Sequence, residues 1–109
     1  MANFTDNFID AVWRKAIMVS GYDPEKWRKD YAGAWICRTQ YGLTSLYGWE
    51  IDHLRPISMS GDDSLGNLYP LHWRNNRSKG DSYPSFITVL SSEGNQNIDR
   101  TQSWKARQN

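Results

Sequence analysis

A chain of 109 residues with a single cysteine must be held together by its hydrophobic core. Cys37 has no second cysteine to pair with, which excludes an internal disulfide and any metal site with two cysteine ligands, the zinc ribbon included. Six Trp, six Tyr and three Phe supply large side chains for that core. Because the length is typical of one domain, we expect a single globular domain over residues 1–109.

The overall charge and hydropathy exclude a membrane-spanning protein and a strongly basic one. Thirteen Lys and Arg against twelve Asp and Glu leave a net charge of +1, so any basic surface must be local. No apolar run approaches the roughly 18 residues that cross a bilayer. The N-terminal residues MANFTDNFID are acidic where a signal peptide is basic. We expect a soluble, cytoplasmic protein without a membrane partner.

The first half of the chain contains signals for both helices and strands. Apolar residues at helical spacing predict a helix over 5–19, and Asp23-Pro24-Glu25 predicts a short second helix that reaches about Lys29. The N-terminal helical part thus covers about 5–30. Runs of aromatic and β-branched residues bounded by glycine predict short strands over 33–38 and 47–52.

The second half begins with a polar loop and ends in a predicted hairpin. Gly, Asp and Ser are dense over 58–66, and the apolar pattern that follows predicts a helix over 71–79 that Gly80 ends. Alternating residues on both sides of Gly94 predict a C-terminal β-hairpin over about 85–106. Together these elements predict an α+β fold.

Polar residues that could take part in catalysis or metal binding concentrate between the second strand and the following helix. Asp52 and His53 end the strand, Asn67 follows the polar loop, and Asn76 lies on the helix. The run IDHLRPISMSGDDSLGNLYPLHWRNNRSKGD resembles the motif of HNH nucleases, the ββα-metal superfamily, as found in small stand-alone proteins of bacteria and phages. The resemblance implies a motif core over about 47–81, built from a short β-hairpin and a helix.

The resemblance also implies a role for each motif residue. His53 is expected to be the general base, because a neutral imidazole can deprotonate water near neutral pH. Asp52 and Asn76 are expected to hold one metal ion, and their oxygen ligands favour Mg²⁺ or Mn²⁺. Asn67 is expected to tie the loop to the backbone and so orient His53.

In many members of this family two pairs of cysteines form a structural zinc site. The corresponding positions here are Cys37, Gln40, His72 and Asn75. One Cys and one His make a poor zinc site, so we expect no structural zinc. We expect an apolar cluster around Trp35, Trp49 and Trp73 to replace it.

Basic residues on or beside the motif predict contacts with DNA phosphates. The candidates are Arg55, Arg74, Arg77 and Lys79. With a net charge of +1 and two acidic residues, Asp62 and Asp63, in the loop, we expect weak and strongly salt-dependent binding.

The sequence thus predicts a metal-dependent HNH endonuclease that hydrolyses DNA. The resemblance implies 5′-phosphate and 3′-hydroxyl products. One such site cuts one strand, so a monomer would nick DNA, and cutting both strands would need a homodimer or two successive nicks; the sequence does not decide between them. Two other functions stay open: a DNA-binding accessory protein with little or no activity, and an antibacterial DNase effector.

Overall fold

A computed structural model describes residues 4–107; residues 1–3 and 108–109, the two ends of the predicted domain, lie outside it. Within the described range the chain is a small α+β protein with two helices and three antiparallel hairpins, which is compatible with an HNH-type fold. The elements are α1 (Asp6–Trp13), β1 (Trp27–Lys29), β2 (Trp35–Cys37), β3 (Trp49–His53), β4 (Leu68–His72), α2 (Trp73–Lys79), β5 (Ser85–Glu93) and β6 (Gln96–Lys105). Neither helix of residues 4–107 is long and apolar enough to cross a membrane.

Helix α1 begins where the sequence predicts but is shorter than the predicted 5–19. The Thr5 side chain caps it by accepting a hydrogen bond from the backbone of Phe8 at 3.2 Å. The helix ends because Ile17 pairs with Lys29 through two backbone hydrogen bonds, which requires extended backbone. The buried guanidinium of Arg28 then donates to carbonyls that the helix end leaves free, at Arg14 and Ala16.

The short helix predicted from Pro24 to Lys29 is wrong. Asp23 accepts a hydrogen bond from the Glu25 backbone and forms a turn, after which the chain enters strand β1. Strand β1 pairs antiparallel with β2, with Trp27 opposite Cys37. Packing of Trp27 against Tyr47, with ring centroids 5.0 Å apart, favours the extended form.

Strands β3 and β4 form the hairpin that precedes α2. They pair antiparallel, with Asp52 opposite Tyr69 and His53 opposite Leu68. Strand β4 is the second strand of the β-hairpin that the resemblance implies, but the apolar pattern predicts helix from residue 71, whereas α2 begins only at Trp73. Pro70 within this segment disfavours a helix and is tolerated in a two-stranded sheet, where both strands are edges. The end of α2 at Lys79, followed by Gly80 at φ +53°, agrees with the prediction.

The predicted C-terminal hairpin is present as β5 and β6, joined by a turn at Gly94. The pairing shifts register between Thr88 and Leu90, and at this bulge the backbone N–H groups of Val89 and Leu90 bond to a side chain outside the sheet. Both donate to the buried amide oxygen of Asn75 on α2, at 2.9 and 2.8 Å. The hairpin is thereby fixed to the helix.

A buried carboxylate, Asp30, connects the β1–β2 hairpin to the start of α2. It accepts hydrogen bonds from the backbone of Ala32, Ala34 and His72 and from the side-chain amide of Asn75. Complete burial outweighs these hydrogen bonds and raises the pKa of Asp30 to about 6. One acidic residue thus joins three elements.

The three tryptophans predicted to form one cluster have different neighbours. Trp49 belongs to the core and packs on Trp13, with ring centroids 5.3 Å apart. Trp35 packs on Tyr22, and Trp73 is half-buried and stacked on His72. The core cluster consists of Ile9, Val12, Trp13, Ala16, Ile36, Trp49 and Leu68. The aromatic residues are therefore distributed around the fold.

Candidate active site

A cleft with a volume of about 470 Å³ opens between the end of β3 and helix α2. Its walls include Asp52 and His53 from the strand and Asn76 and Arg77 from the helix. The structure thus brings together three of the four motif residues to which sequence analysis assigns catalysis or metal binding. Arg77 adds a positive charge, and its side chain is 58% exposed.

Asp52 is almost fully buried and paired with a buried lysine. Its Oδ1 lies 3.2 Å from Lys79 Nζ, and the two side chains are 4% and 0% exposed. Burial raises the pKa of Asp52, and the nearby Lys79 ammonium opposes that shift. Among the described residues Asp52 Oδ2 has no hydrogen-bond partner, so this carboxylate has unused capacity to bind a cation.

The His53 ring is held by an acidic residue of the following loop. Nε2 of His53 lies 2.7 Å from Oδ1 of Asp63, and the His53 side chain is 18% exposed. A carboxylate beside an imidazole restricts the orientation of the ring. His53 is therefore both accessible from the cleft and fixed in direction.

Asn67, the fourth motif residue, closes the loop between β3 and β4. Its side-chain oxygen accepts from the Arg55 backbone N–H at 2.9 Å, and its amide nitrogen donates to the carbonyls of Arg55 and Asp62. These bonds link the start of the loop to the residue before Asp63. Asn67 therefore lies outside the cleft, at a position where it fixes the loop that carries the partner of His53.

Asn76 is oriented by a residue that the sequence analysis missed. Its amide nitrogen donates to Glu50 Oε1 at 3.0 Å, and Glu50 also pairs with Arg77 at 3.4 Å. Because a carboxylate only accepts hydrogen bonds, the amide nitrogen must face Glu50 and the amide oxygen must face away. Glu50 lies two residues before Asp52 on β3, and the period of two that puts both on one face was the available signal.

The other predicted DNA contacts differ in position. Arg55 is exposed and donates to the Met59 carbonyl, and Arg74 pairs with Asp99 beside a separate cavity. The burial of Lys79 contradicts its predicted phosphate contact, because a side chain with 0% exposure cannot reach DNA. Of the four candidates, Arg77 lines the cleft.

The residues at the family's zinc positions take part in hydrogen bonds. Nδ1 of His72 accepts from the Arg74 backbone and Nε2 donates to the Leu46 carbonyl, so the ring is neutral; burial lowers its pKa. Gln40 accepts from Ser45 and from the Tyr47 backbone. These contacts stabilise the loop before β3.

The cleft residues fit a hard divalent cation better than zinc. Residues 4–107 contain no group of three or more His, Cys, Asp or Glu side chains arranged as a metal site. A metal here would use the Asp52 carboxylate, which has an oxygen without a partner, and the amide oxygen of Asn76. Such oxygen ligands suit Mg²⁺ or Mn²⁺, which keep several positions for water and phosphate.

Comparison with known proteins finds a family that part of this chain resembles. Residues 36–85 match the family model described as HNH endonuclease, a range that contains β3, β4, α2 and the last two residues of β2. Comparisons with curated proteins and with solved structures give no match. Over residues 36–85, just under half of the chain, the sequence is therefore similar to the HNH endonuclease family, which supports an HNH-type nuclease.

Proposed function

We propose that the protein is a metal-dependent endonuclease that hydrolyses DNA phosphodiester bonds at the cleft between β3 and α2. The observation that carries the proposal is the presence of Asp52, His53 and Asn76 on the walls of one cleft, within the segment that matches HNH endonucleases. The three residues supply two metal ligands and one base, which this reaction requires.

Asp52 and Asn76 would hold one Mg²⁺ or Mn²⁺ through oxygen atoms. When bound, the metal supplies positive charge for the phosphate and for the departing 3′ oxygen. Glu50 keeps the Asn76 amide oxygen turned away from the strand. The ligand set therefore consists of one residue fixed on β3 and one fixed on α2.

His53 would deprotonate the attacking water. Its ring is held at Nε2 by Asp63, and Asn67 fixes the loop that carries Asp63. Orientation of the base in this way reduces the entropy that is lost on reaching the transition state. The loop between β3 and β4 thus contributes to catalysis by orienting the base.

DNA would bind mainly through its phosphates. Arg77 is exposed at the cleft, and its partner Glu50 can exchange for a phosphate at little cost because a surface ion pair is weak. With a net charge of +1, we expect weak binding that falls steeply with salt. One cleft per chain cuts one strand, so a monomer nicks DNA and a homodimer cuts both strands.

The test is conversion of supercoiled plasmid by purified protein without metal and with Mg²⁺, Mn²⁺ or Zn²⁺. We expect nicking with Mg²⁺ or Mn²⁺, and a loss of about 10²-fold or more in rate for His53→Ala, because the base is removed. Glu93→Ala, at the exposed hairpin turn, is purified in parallel and keeps the activity. DNA binding without cleavage under every condition would favour the accessory function, and activity in His53→Ala would exclude His53 as the base.

A further inference from the structure

Lys79 is the most unusual side chain near the cleft, because it is a lysine without solvent exposure. Lysine is rarely buried in full unless its charge is paired. Its three contacts account for the burial: Nζ lies 3.2 Å from Asp52 Oδ1 and 3.1 Å from the His53 carbonyl oxygen, and 5.3 Å from the centre of the Phe86 ring.

Two of these contacts are to the residues that the proposed function uses. One ammonium group binds the side chain of the proposed metal ligand and the backbone of the proposed base. Lys79 thereby connects the last turn of α2 to the last two residues of β3. The hydrogen bond between Asn76 and Glu50 is a second connection between α2 and β3.

Stability alone does not explain this ion pair. Replacing a buried ion pair by apolar side chains of similar volume is often neutral or stabilising, because both charges lose their hydration. The Lys79 environment includes the Phe86 ring and would accommodate an apolar chain. The positive charge of Lys79 matters because its removal would change the position of the Asp52 carboxylate.

We propose that Lys79 is a positioning residue that fixes the Asp52 carboxylate and the His53 backbone relative to each other. The inference rests on the proposed function, since it assigns Lys79 a role in the same reaction. It replaces the phosphate contact expected from sequence. Lys79 acts from behind the cleft and touches neither DNA nor the attacking water.

The experiment compares Lys79→Met with Arg77→Met, two substitutions in the last turn of one helix. Methionine keeps an unbranched chain of similar length without charge. For Lys79→Met we expect the single-turnover cleavage rate to fall roughly tenfold to a hundredfold, with the Kd for DNA and its salt dependence unchanged. For Arg77→Met we expect a weaker Kd for DNA and a salt slope that is lower by about one.

Two outcomes overturn the proposal: cleavage by Lys79→Met at the wild-type rate, or a loss of DNA affinity and salt slope like that of Arg77→Met. The second outcome would restore the phosphate contact. Circular dichroism checks that each variant is folded before its rate is measured.

Two further measurements do not need nuclease activity. Asp52→Asn and Lys79→Met should each lower the melting temperature. The double variant should lose less than the sum of the two single losses, because it buries no unpaired charge. Additive losses would overturn the pairing. In calorimetry with Mn²⁺ alone, Lys79→Met should bind roughly tenfold more weakly; unchanged affinity would overturn the positioning role.

These measurements separate the two proposals. If wild-type protein does not cleave DNA, the proposed nuclease function fails. Coupled melting temperatures together with weaker Mn²⁺ binding would still support Lys79 as the residue that positions Asp52, and their absence would exclude it. If Lys79→Met does not fold, the double variant is compared with Asp52→Asn: a lower melting temperature for the double variant excludes the pairing.

Discussion

Asn75 and Asn76 are neighbours on α2 with opposite surroundings. The Asn75 side chain is fully buried and makes four hydrogen bonds, to Asp30, to both backbone groups of Leu90 and to the Val89 backbone. The Asn76 side chain lines the cleft, where its amide nitrogen bonds to Glu50. One face of the helix therefore builds the frame, by which we mean the buried hydrogen bonds that join α2 to Asp30 and to β5. The adjacent face keeps an oxygen available for chemistry.

The largest effect should come from breaking the frame. Asn75→Ala leaves a carboxylate, a carbonyl and two N–H groups without their partner in the interior, and each unsatisfied buried group costs about 1–3 kcal/mol. We expect a loss of more than about 3 kcal/mol in the free energy of unfolding, measured by urea denaturation. A loss below about 1 kcal/mol would show that water or rearrangement satisfies these groups.

The pH dependence of stability tests the same frame at Asp30. Burial raises its pKa to about 6, above the unfolded value of 3.8, so its contribution to stability is complete below about pH 4 and is lost as pH rises through about 6. The expected loss is about 3 kcal/mol between pH 4 and pH 7. Unfolding of wild type and Asp30→Asn is compared across this range. The difference between them isolates Asp30, because Asp52 and His72 titrate in both proteins; parallel curves would contradict the prediction.

On the cleft side of α2, Asn76→Ala should weaken metal binding and leave the frame intact. We expect Mn²⁺ affinity in calorimetry to fall by roughly tenfold or more, with the stability changed by no more than about 1 kcal/mol, since one hydrogen bond is lost. Asn76→Asp keeps an oxygen and should retain part of the affinity. Wild-type affinity in Asn76→Ala would remove this residue from the ligand set.

The smallest effect is expected from chelation. Cys37, Gln40, His72 and Asn75 stand at the positions where the resemblance implies zinc ligands in many relatives, and the last three are engaged in hydrogen bonds. Treatment with a zinc chelator before thermal unfolding should change the melting temperature by less than about 1 °C. A large decrease would show that this end of the molecule does hold a structural metal.

The arrangement of the cleft follows closely from local sequence signals. Asp52 and His53 end a strand and Asn76 lies on the next helix, and these placements need only strand and helix periodicity. Strand β4 is harder, because the three apolar residues of LYPLH fit a strand or the start of a helix until pairing with β3 decides. The cleft residues are therefore placed by local sequence patterns, whereas β4 depends on pairing with a distant segment.

Lys79 illustrates what local reasoning cannot supply. A lysine in the last turn of a helix, before glycine, is typical of a solvated residue near the helix C-terminus. Its burial depends on Phe86 from the hairpin beyond and on Asp52 from the strand before, two partners that only the tertiary fold brings to it. Asp30 and Asp63 were missed for the same reason, since each acts on a residue of another element or loop.

The contact between His53 and Asp63 also determines which nitrogen of the imidazole can react. A carboxylate only accepts hydrogen bonds, so in neutral His53 the hydrogen is on Nε2, and the lone pair is on Nδ1. Asp63 thereby favours one tautomer, and in the proposed reaction the water would approach Nδ1. The strand carries the histidine, but the loop would set the side from which this proposed base takes a proton.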